Sequence, residues 1–279
     1  MHGPGQHQFV EFVRGMASVL LPRACAVCRE PSASSAEFIV CAACLARTTP
    51  LTLPLCDRCG HPRLSVHAPQ PAGTADTGAP DELPACSWCA RLPAYVRAVR
   101  SVCRMDEGTG AAIVHALKYS GWSEVAKPMA QQMARLRFPD DVVRERTALV
   151  PLPLSPTRER ARGYNQAERV ATELSKRWGI PVWLDVVFRT RETRSQVELT
   201  PSERTANVAE AFTVSSSLRQ RLHGTHIVLV DDVVTTAASL NAAALALTTV
   251  GARIISYITF GRAPDPGDRS DPHADFFKD

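Results

Sequence analysis

The sequence predicts an α/β fold, a mostly parallel sheet flanked by helices, with a small cysteine-rich head in front of it. Two observations predict this. From about residue 92 onward, short apolar runs of strand character alternate with stretches of helical spacing. Eight of the nine cysteines lie between residues 25 and 89, and none follows Cys103, so the chain divides near residue 92. The expected organisation is a head over 20–91 with a flexible insertion at 66–83, a body over 92–262 and a frayed tail over 263–279. The insertion is rich in Pro, Ala, Gly and Thr without periodicity, and the tail is polar with scattered Pro.

With 279 residues, 45% hydrophobic and 22% charged, the chain has the make-up of an ordinary globular protein with one sizeable core. That excludes a fibrous or wholly disordered chain. A net charge of +4 suits anionic ligands such as phosphates but is too small to argue for nucleic-acid binding. The first 25 residues carry scattered His, Glu and Arg where a signal peptide needs an unbroken apolar region, and no apolar run reaches membrane-spanning length. A cytoplasmic location with no membrane span is expected, and nothing in the sequence speaks to oligomeric state.

In the head the cysteines pair as Cys25/Cys28, Cys41/Cys44, Cys56/Cys59 and Cys86/Cys89, each pair two residues apart. Such a pair forms a tight knuckle around one ion, and a tetrahedral zinc needs two knuckles. Four knuckles make two structural Zn2+ sites. Disulfides are the rival, disfavoured in a chain read as cytosolic, and a thioredoxin-like site would need one such pair at the mouth of an α/β fold. Sequential pairing closes the shorter loops and is expected: Cys25, Cys28, Cys41 and Cys44 on one ion, Cys56, Cys59, Cys86 and Cys89 on the other. Interleaved pairing is the alternative. His61 reads as a surface residue, and Cys103, alone on an apolar run, as a small buried hydrophobe.

In the body, strands are expected at Val96 to Met105, Thr147 to Leu154, Val182 to Phe188, Ile227 to Val230 and Arg253 to Phe260. Helices are expected at Gly110 to Tyr119, Val125 to Leu136, Gln166 to Trp178, Ser202 to Ala211 and Ala237 to Val250. Strands joined through helices run parallel, and ligands of such sheets bind at the carboxyl ends of the strands.

The segment IVLVDDVVTTAASL, residues 227–240, carries the chemistry. An apolar strand is expected to stop at Asp231 and Asp232, and Thr235, Thr236, Ala237, Ala238 and Ser239 then open a helix. Small residues let backbone N–H groups converge on an anion, hydroxyls add donors, and the helix start adds partial positive charge. That is a monophosphate cradle. The two carboxylates at its rim should face hydroxyls or a metal, and a ribose 5-phosphate meets both needs. A helix cap alone would account for one of these residues.

Two further stretches support an anion site. VPLPL, 150–154, runs into a loop carrying Arg158, Arg160 and Arg162, whose guanidinium forks suit a pyrophosphate. A long polar connection then carries Arg191, Thr193, Gln196, Arg204 and Asn207, as a closing lid would. Singly, either run reads equally well as a solvated face. Lys118 in HALKY, 115–119, is a weak candidate for contacting an acceptor, because a lone lysine on a helix is usually solvated.

The strand, acid pair and Thr-rich turn resemble the 5-phosphoribosyl-1-pyrophosphate (PRPP) motif of type I phosphoribosyltransferases. That motif has Gly and Thr where this chain has Ala237 and Ser239. With four knuckles, VPLPL…RGYNQ, T-x-x-Q-x-x-L…R-x-x-N…AF and HALKY in order, about residues 20 to 262 resemble the ComF (ComFC/GntX-like) family. The resemblance implies a type I phosphoribosyltransferase-like parallel sheet behind a double zinc ribbon, and a link to DNA uptake in competence or to nucleotide salvage. It implies PRPP bound with Mg2+ at Asp231, Asp232 and the Thr235 to Ser239 turn. Arg158, Arg160 and Arg162 would draw off pyrophosphate, and phosphoribosyl would pass to an unknown nitrogenous acceptor recognised by residues 91 to 120. The acceptor is not implied. Ala237 adds a methyl group and disfavours positive φ where backbone meets phosphate. The alternative is a non-catalytic PRPP or nucleotide sensor whose head docks single-stranded DNA or a protein of the uptake machinery. Against that docking, the head has only Trp88 and Phe38 as large rings, too little for stacking on bases.

Overall fold

The computed structural model describes residues 24–31, 39–63, 86–106, 108–190 and 211–264. In chain order it contains helix α1 (Ala42–Ala46), strand β1 (Val96–Arg104), helices α2 (Thr109–Tyr119), α3 (Ala126–Ala134) and α4 (Asp140–Glu145), and strand β2 (Arg146–Pro151). Helices α5 (Pro156–Arg162) and α6 (Gln166–Trp178) follow, then the short strands β3 (Phe188–Arg189) and β4 (Phe212–Thr213). Helix α7 (Arg219–Leu222), strand β5 (His226–Val234), helix α8 (Ala238–Val250) and strand β6 (Ile254–Arg262) complete the body. The lid residues Arg191, Thr193, Gln196, Arg204 and Asn207, the insertion 66–83, and 265–279 of the tail lie outside the described residues.

The main sheet has the order β1-β6-β5-β2, all parallel, as expected for strands joined through helices. Side chains alternate across it. Ile227, Leu229, Ile255 and Tyr257 pack on one face with Leu240, Ala243, Ala244 and Leu247 of α8. Val228, Val230, Ile258 and Phe260 pack on the other with Ile113 and Leu117 of α2, Met129 and Met133 of α3, and Val170, Ala171 and Leu174 of α6. Because both faces are covered, the strands are continuous apolar runs.

This layering fixes where a ligand can sit. The chain leaves β2 through α6 on one face and next touches the sheet at Val182, which bridges Leu149 on the outer side of β2. It leaves β5 through α8 on the opposite face and returns as β6 on the other side. Connections from the two neighbours thus run in opposite directions, and the crevice between their carboxyl ends is a topological switch point.

Three expected elements differ. Val182 to Phe188 is not one strand: after a single rung, in which Leu149 N–H donates to Pro181 O and Trp183 N–H to Leu149 O (both 2.9 Å), the chain bends away. Val186 and Val187 are buried beyond the sheet, and Phe188–Arg189 pairs antiparallel with Phe212–Thr213 instead. The arginine loop after β2 is the helix α5, capped by Ser155 and ended by Gly163 at φ 77°. Lastly, β5 does not stop at the acids but runs through Val234, held by β6.

The head closes the exposed edge of the sheet. Val99 N–H of β1 donates to Arg58 O (2.8 Å), Arg104 N–H donates to Thr49 O (2.9 Å), and Pro50 bridges Cys103. An unpaired parallel edge strand would invite association, and here the knuckle chains take its free groups.

Candidate functional site

The two cysteine clusters come together as the sequential pairing requires. Cys25, Cys28, Cys41 and Cys44 form one group and Cys56, Cys59, Cys86 and Cys89 the other, with all ligand atoms of each within 4.8 Å of one another. Sγ separations are 3.9 Å for Cys25–Cys44 and Cys28–Cys41, 3.5 Å for Cys56–Cys89 and 3.4 Å for Cys59–Cys86. A disulfide needs about 2.05 Å. A tetrahedron with zinc–sulfur arms of about 2.3 Å has edges of about 3.8 Å, so the donor sets fit structural zinc.

The first knuckle of each cluster has the same backbone. Arg29 N–H donates to Cys25 O (2.9 Å) and Gly60 N–H to Cys56 O (2.8 Å), and Arg29 and Gly60 both take left-handed φ, 62° and 65°. The residues before and after close matching bridges, Ala24 to Pro31 and Leu55 to Pro62. The head is thus two copies of one ribbon. His61 is not on the surface as expected: it is buried, stacked on Trp88 at 6.5 Å, outside the ligand set. Trp88 is 1% exposed, between His61 and the Arg262 guanidinium 4.3 Å from its ring, so it offers no face to a base. Cys103 is fully buried, its thiol pushed up to about 12 by burial and then by Asp106, and is inert.

At the switch point, β2 ends at Pro151 opposite Val230, and Leu152 N–H donates to Val230 O (2.9 Å). Asp231 and Asp232 therefore stand just past the last β2 rung, their strand paired only with β6 on the other side. Because β5 continues, consecutive residues alternate faces and the acids diverge. Asp232 turns toward α2 and α6. It is 4% exposed, ion-paired with Lys118 and accepts from Gln166 Nε2 (3.3 Å), whose Oε1 accepts from Arg162 Nη1 (2.8 Å). Arg162 in turn lies 5.1 Å over the Tyr119 ring.

Asp231 is half-buried, and its Oδ1 accepts Asp232 N–H (2.8 Å). Burial, then the Asp232 charge, pushes its carboxyl well above the usual range, with Lys118 partly offsetting both. On its side lies Arg189, half-buried at β3. Its pKa is lowered by burial and by Arg158 and raised by Asp231, which puts these three charges in one neighbourhood. Nothing in the local pattern singles out Arg189, which lies between the strand expected at Val182 to Phe188 and the polar connection that carries Arg191. Lys118 was expected in solvent and instead holds an acid.

The turn after β5 takes the strained shape that a close backbone approach needs. Ala237 has φ 62° and ψ 8°, left-handed, and is the N-cap of α8 without a side-chain cap. Ala238 N–H donates to Thr236 Oγ1 at 3.4 Å, and Thr235 and Thr236 are exposed. Along α5, Arg158 and Arg162 share a face while Arg160 falls about 200° from either, so the three arginines do not converge as one group. Arg158 and Arg160 are exposed, and Arg162 alone is tied to the acids, through Gln166.

Residues 16–90 match the double zinc ribbon domain family, and residues 161–278 match the phosphoribosyl transferase domain family. The chain is 29% identical over 246 residues to the DNA utilization protein YhgH of Escherichia coli K12, covering 84% of this chain and 95% of that one. It is 31% identical over 134 residues to competence protein F of Haemophilus influenzae, 48% of this chain and 55% of that one. A glutamine PRPP amidotransferase from B. subtilis superposes at TM-score 0.32 and 17% identity over 48% of this chain and 25% of that chain, too slight a likeness to bear on function.

Proposed function

Because the chain belongs to the ComF family, we propose that it is a PRPP-binding phosphoribosyltransferase-like protein that serves the uptake or use of DNA. The observation that carries this reading is the switch point itself: β5 runs past β2 with two acids at the crevice, then turns through left-handed Ala237 into the uncapped start of α8. A 5-phosphate would lie against the Thr235 to Ser239 turn, where N–H groups and hydroxyls meet it once the Thr236 hydroxyl gives up its long bond from Ala238 N–H. Asp231 and Asp232 would take the ribose hydroxyls from the two sides of the strand. Arg162 and Arg158, on one face of α5, would take the pyrophosphate, with Arg160 further from it.

Asp232 already holds one cation, the Lys118 ammonium, so the acid pair suits positive charge, and Mg2+ arriving with PRPP would supply neutralisation of the leaving pyrophosphate. The chain's own groups fix the sugar at both ends and hold the arginine where charge develops as the bond at C1 breaks. Positioning and charge stabilisation then account for transfer to a nitrogenous acceptor without a protein nucleophile. Ala237 favours a second reading, binding without turnover, since a methyl group stands where backbone would close on phosphate.

Thermal melting with PRPP, nucleotides and pyrophosphate, each with Mg2+, tests the site. PRPP should raise the melting temperature of the wild type and leave Asp231→Asn unmoved. No shift with PRPP at millimolar concentration sinks the reading. Turnover of labelled PRPP with candidate bases separates enzyme from sensor.

The zinc ribbons carry no open ligand position and so shape the head and the β1 edge. In this reading the chain divides into a zinc-ribbon head over 20–91, a phosphoribosyltransferase-like body over 92–262 and a tail over 263–279. Among the described residues no helix is long and apolar enough to cross a membrane.

A further inference from the structure

We propose that Lys118 is an internal counter-ion of the ligand site, seated on Asp232 when the crevice is empty and transferred to the ligand's pyrophosphate when a sugar diol takes Asp232. This rests on the reading of the crevice as a PRPP site and assigns a role to a residue outside the acid, turn and arginine sets.

Three observations support it. The ammonium sits on Asp232 Oδ2 although its side chain keeps 22% of its surface exposed, so it reaches in from the rim and has a way out. Asp232 itself is 5% exposed at its side chain, and such a carboxylate is costly without a cation, which the Lys118 ammonium supplies. The neutral partner, Gln166, links Asp232 to Arg162, so an ammonium leaving Asp232 is next to the side where the arginines would hold the pyrophosphate.

Lys118 also stands at the last turn of α2, where Ser120 caps and Gly121 takes φ 71°, a joint at which a flexible stem can swing without disturbing the helix. A ligand with a diol but no pyrophosphate must displace the ammonium and offer it nothing in return. A ligand with a pyrophosphate gives it a new partner. Lys118 is then a positioning residue that discriminates PRPP from ribose 5-phosphate.

Calorimetric titration of the full chain with Mg2+ and, separately, ribose 5-phosphate, pyrophosphate and PRPP tests this. Lys118→Gln should bind ribose 5-phosphate about tenfold more tightly and pyrophosphate about tenfold more weakly than wild type. Lys118→Arg keeps the charge and grips the carboxylate with a two-pronged fork, so it should bind ribose 5-phosphate more weakly than wild type. A merely structural lysine would shift all ligands in one direction. Equal weakening of both ligands in Lys118→Gln, or no change in either, overturns the proposal, and so does tighter ribose 5-phosphate binding by Lys118→Arg. If wild type binds neither PRPP nor ribose 5-phosphate, the crevice reading fails first and this one with it.

Discussion

Arg262, the last residue of β6, donates from Nη2 to Cys59 O (2.5 Å) and lays its guanidinium 4.3 Å over Trp88. One buried arginine thereby joins the sheet to the second zinc knuckle. Arg58 of the same knuckle donates to Val96 O (3.1 Å), Leu92 O (3.2 Å) and Pro93 O (2.7 Å). The second cluster is therefore part of the body's edge, while Cys25 and Cys44 pack on the opposite face of the sheet with the α2 and α3 core.

Two zinc ions per chain are expected by metal analysis, and the second should matter more to the sheet. Cys59→Ser should cost more than about 3 kcal/mol of unfolding free energy, as loss of a structural metal does. It should also speed hydrogen exchange of the Val99 amide, which donates to Arg58 O. Cys28→Ser, whose thiol is only half-buried at the first cluster, should leave that amide protected. Equal exchange in both variants would show that the clusters are not coupled to the sheet in this unequal way.

Ala237 sets two effects against each other. Left-handed φ costs a non-glycine residue roughly 1 to 2 kcal/mol, which Ala237→Gly would relieve. The same change removes a methyl group that is 4% exposed, worth about 0.8 kcal/mol, and adds unfolded-chain entropy of about 0.5 to 1 kcal/mol. Stability in urea should change by less than about 1 kcal/mol. Affinity for phosphate-bearing ligands should nevertheless rise, because the methyl group leaves the turn. Ala237→Val, with a branched side chain in the same backbone, should destabilise the protein by more than 1 kcal/mol. Equal stability of the Val and Gly variants would contradict the strained turn.

The joint of β5 and α8 was legible because the apolar period changes from strand to helix at Asp231 to Ser239, and the knuckles because spacing alone defines them. The length of β5 was not legible. Val233 and Val234 count as strand only through Gly261 and Arg262 of β6, a partner 28 residues away that no local pattern names. The divergence of Asp231 and Asp232 follows from that length, and so was hidden with it. Helix α5 was hidden for a different reason: TRERAR has no apolar face, and its start depends on the Ser155 hydroxyl accepting Arg158 N–H (3.4 Å). Lys118 and His61 were misplaced because a single polar residue carries no signal of the ring or acid that folding brings to it.

His226 gives the fold a pH limit. It is 1% exposed, shares a hydrogen bond of 2.9 Å with Ser256 Oγ, and burial lowers its pKa from 6.5 to about 4. The folded state thus binds its proton less readily than the unfolded one. Stability is level well above pH 6.5 and falls as pH drops through 6.5 toward 4. By pH 5.5 the loss relative to pH 7.5 should be on the order of 1 kcal/mol by urea unfolding, and His226→Gln should remove that difference. An identical pH slope in wild type and variant would show that another group controls it.

Arg162 separates holding PRPP from splitting it. Its Nη1 donates to Gln166 Oε1, which orients the Gln166 amide toward Asp232, and it is the one arginine of α5 tied to the acids. If its charge acts mainly as pyrophosphate leaves, Arg162→Ala should keep PRPP binding within about threefold of wild type while product formation falls about 10²- to 10³-fold. Arg162→Lys should recover only part, since an ammonium keeps the charge but not the fork that spans two phosphate oxygens or the planar seat over Tyr119. Loss of PRPP binding in step with product would make Arg162 a ground-state anchor. In the sensor reading no variant forms product, so the binding ratio of Arg162→Ala to Asp231→Asn becomes the deciding measurement: Asp231→Asn should lose PRPP entirely, and Arg162→Ala should not.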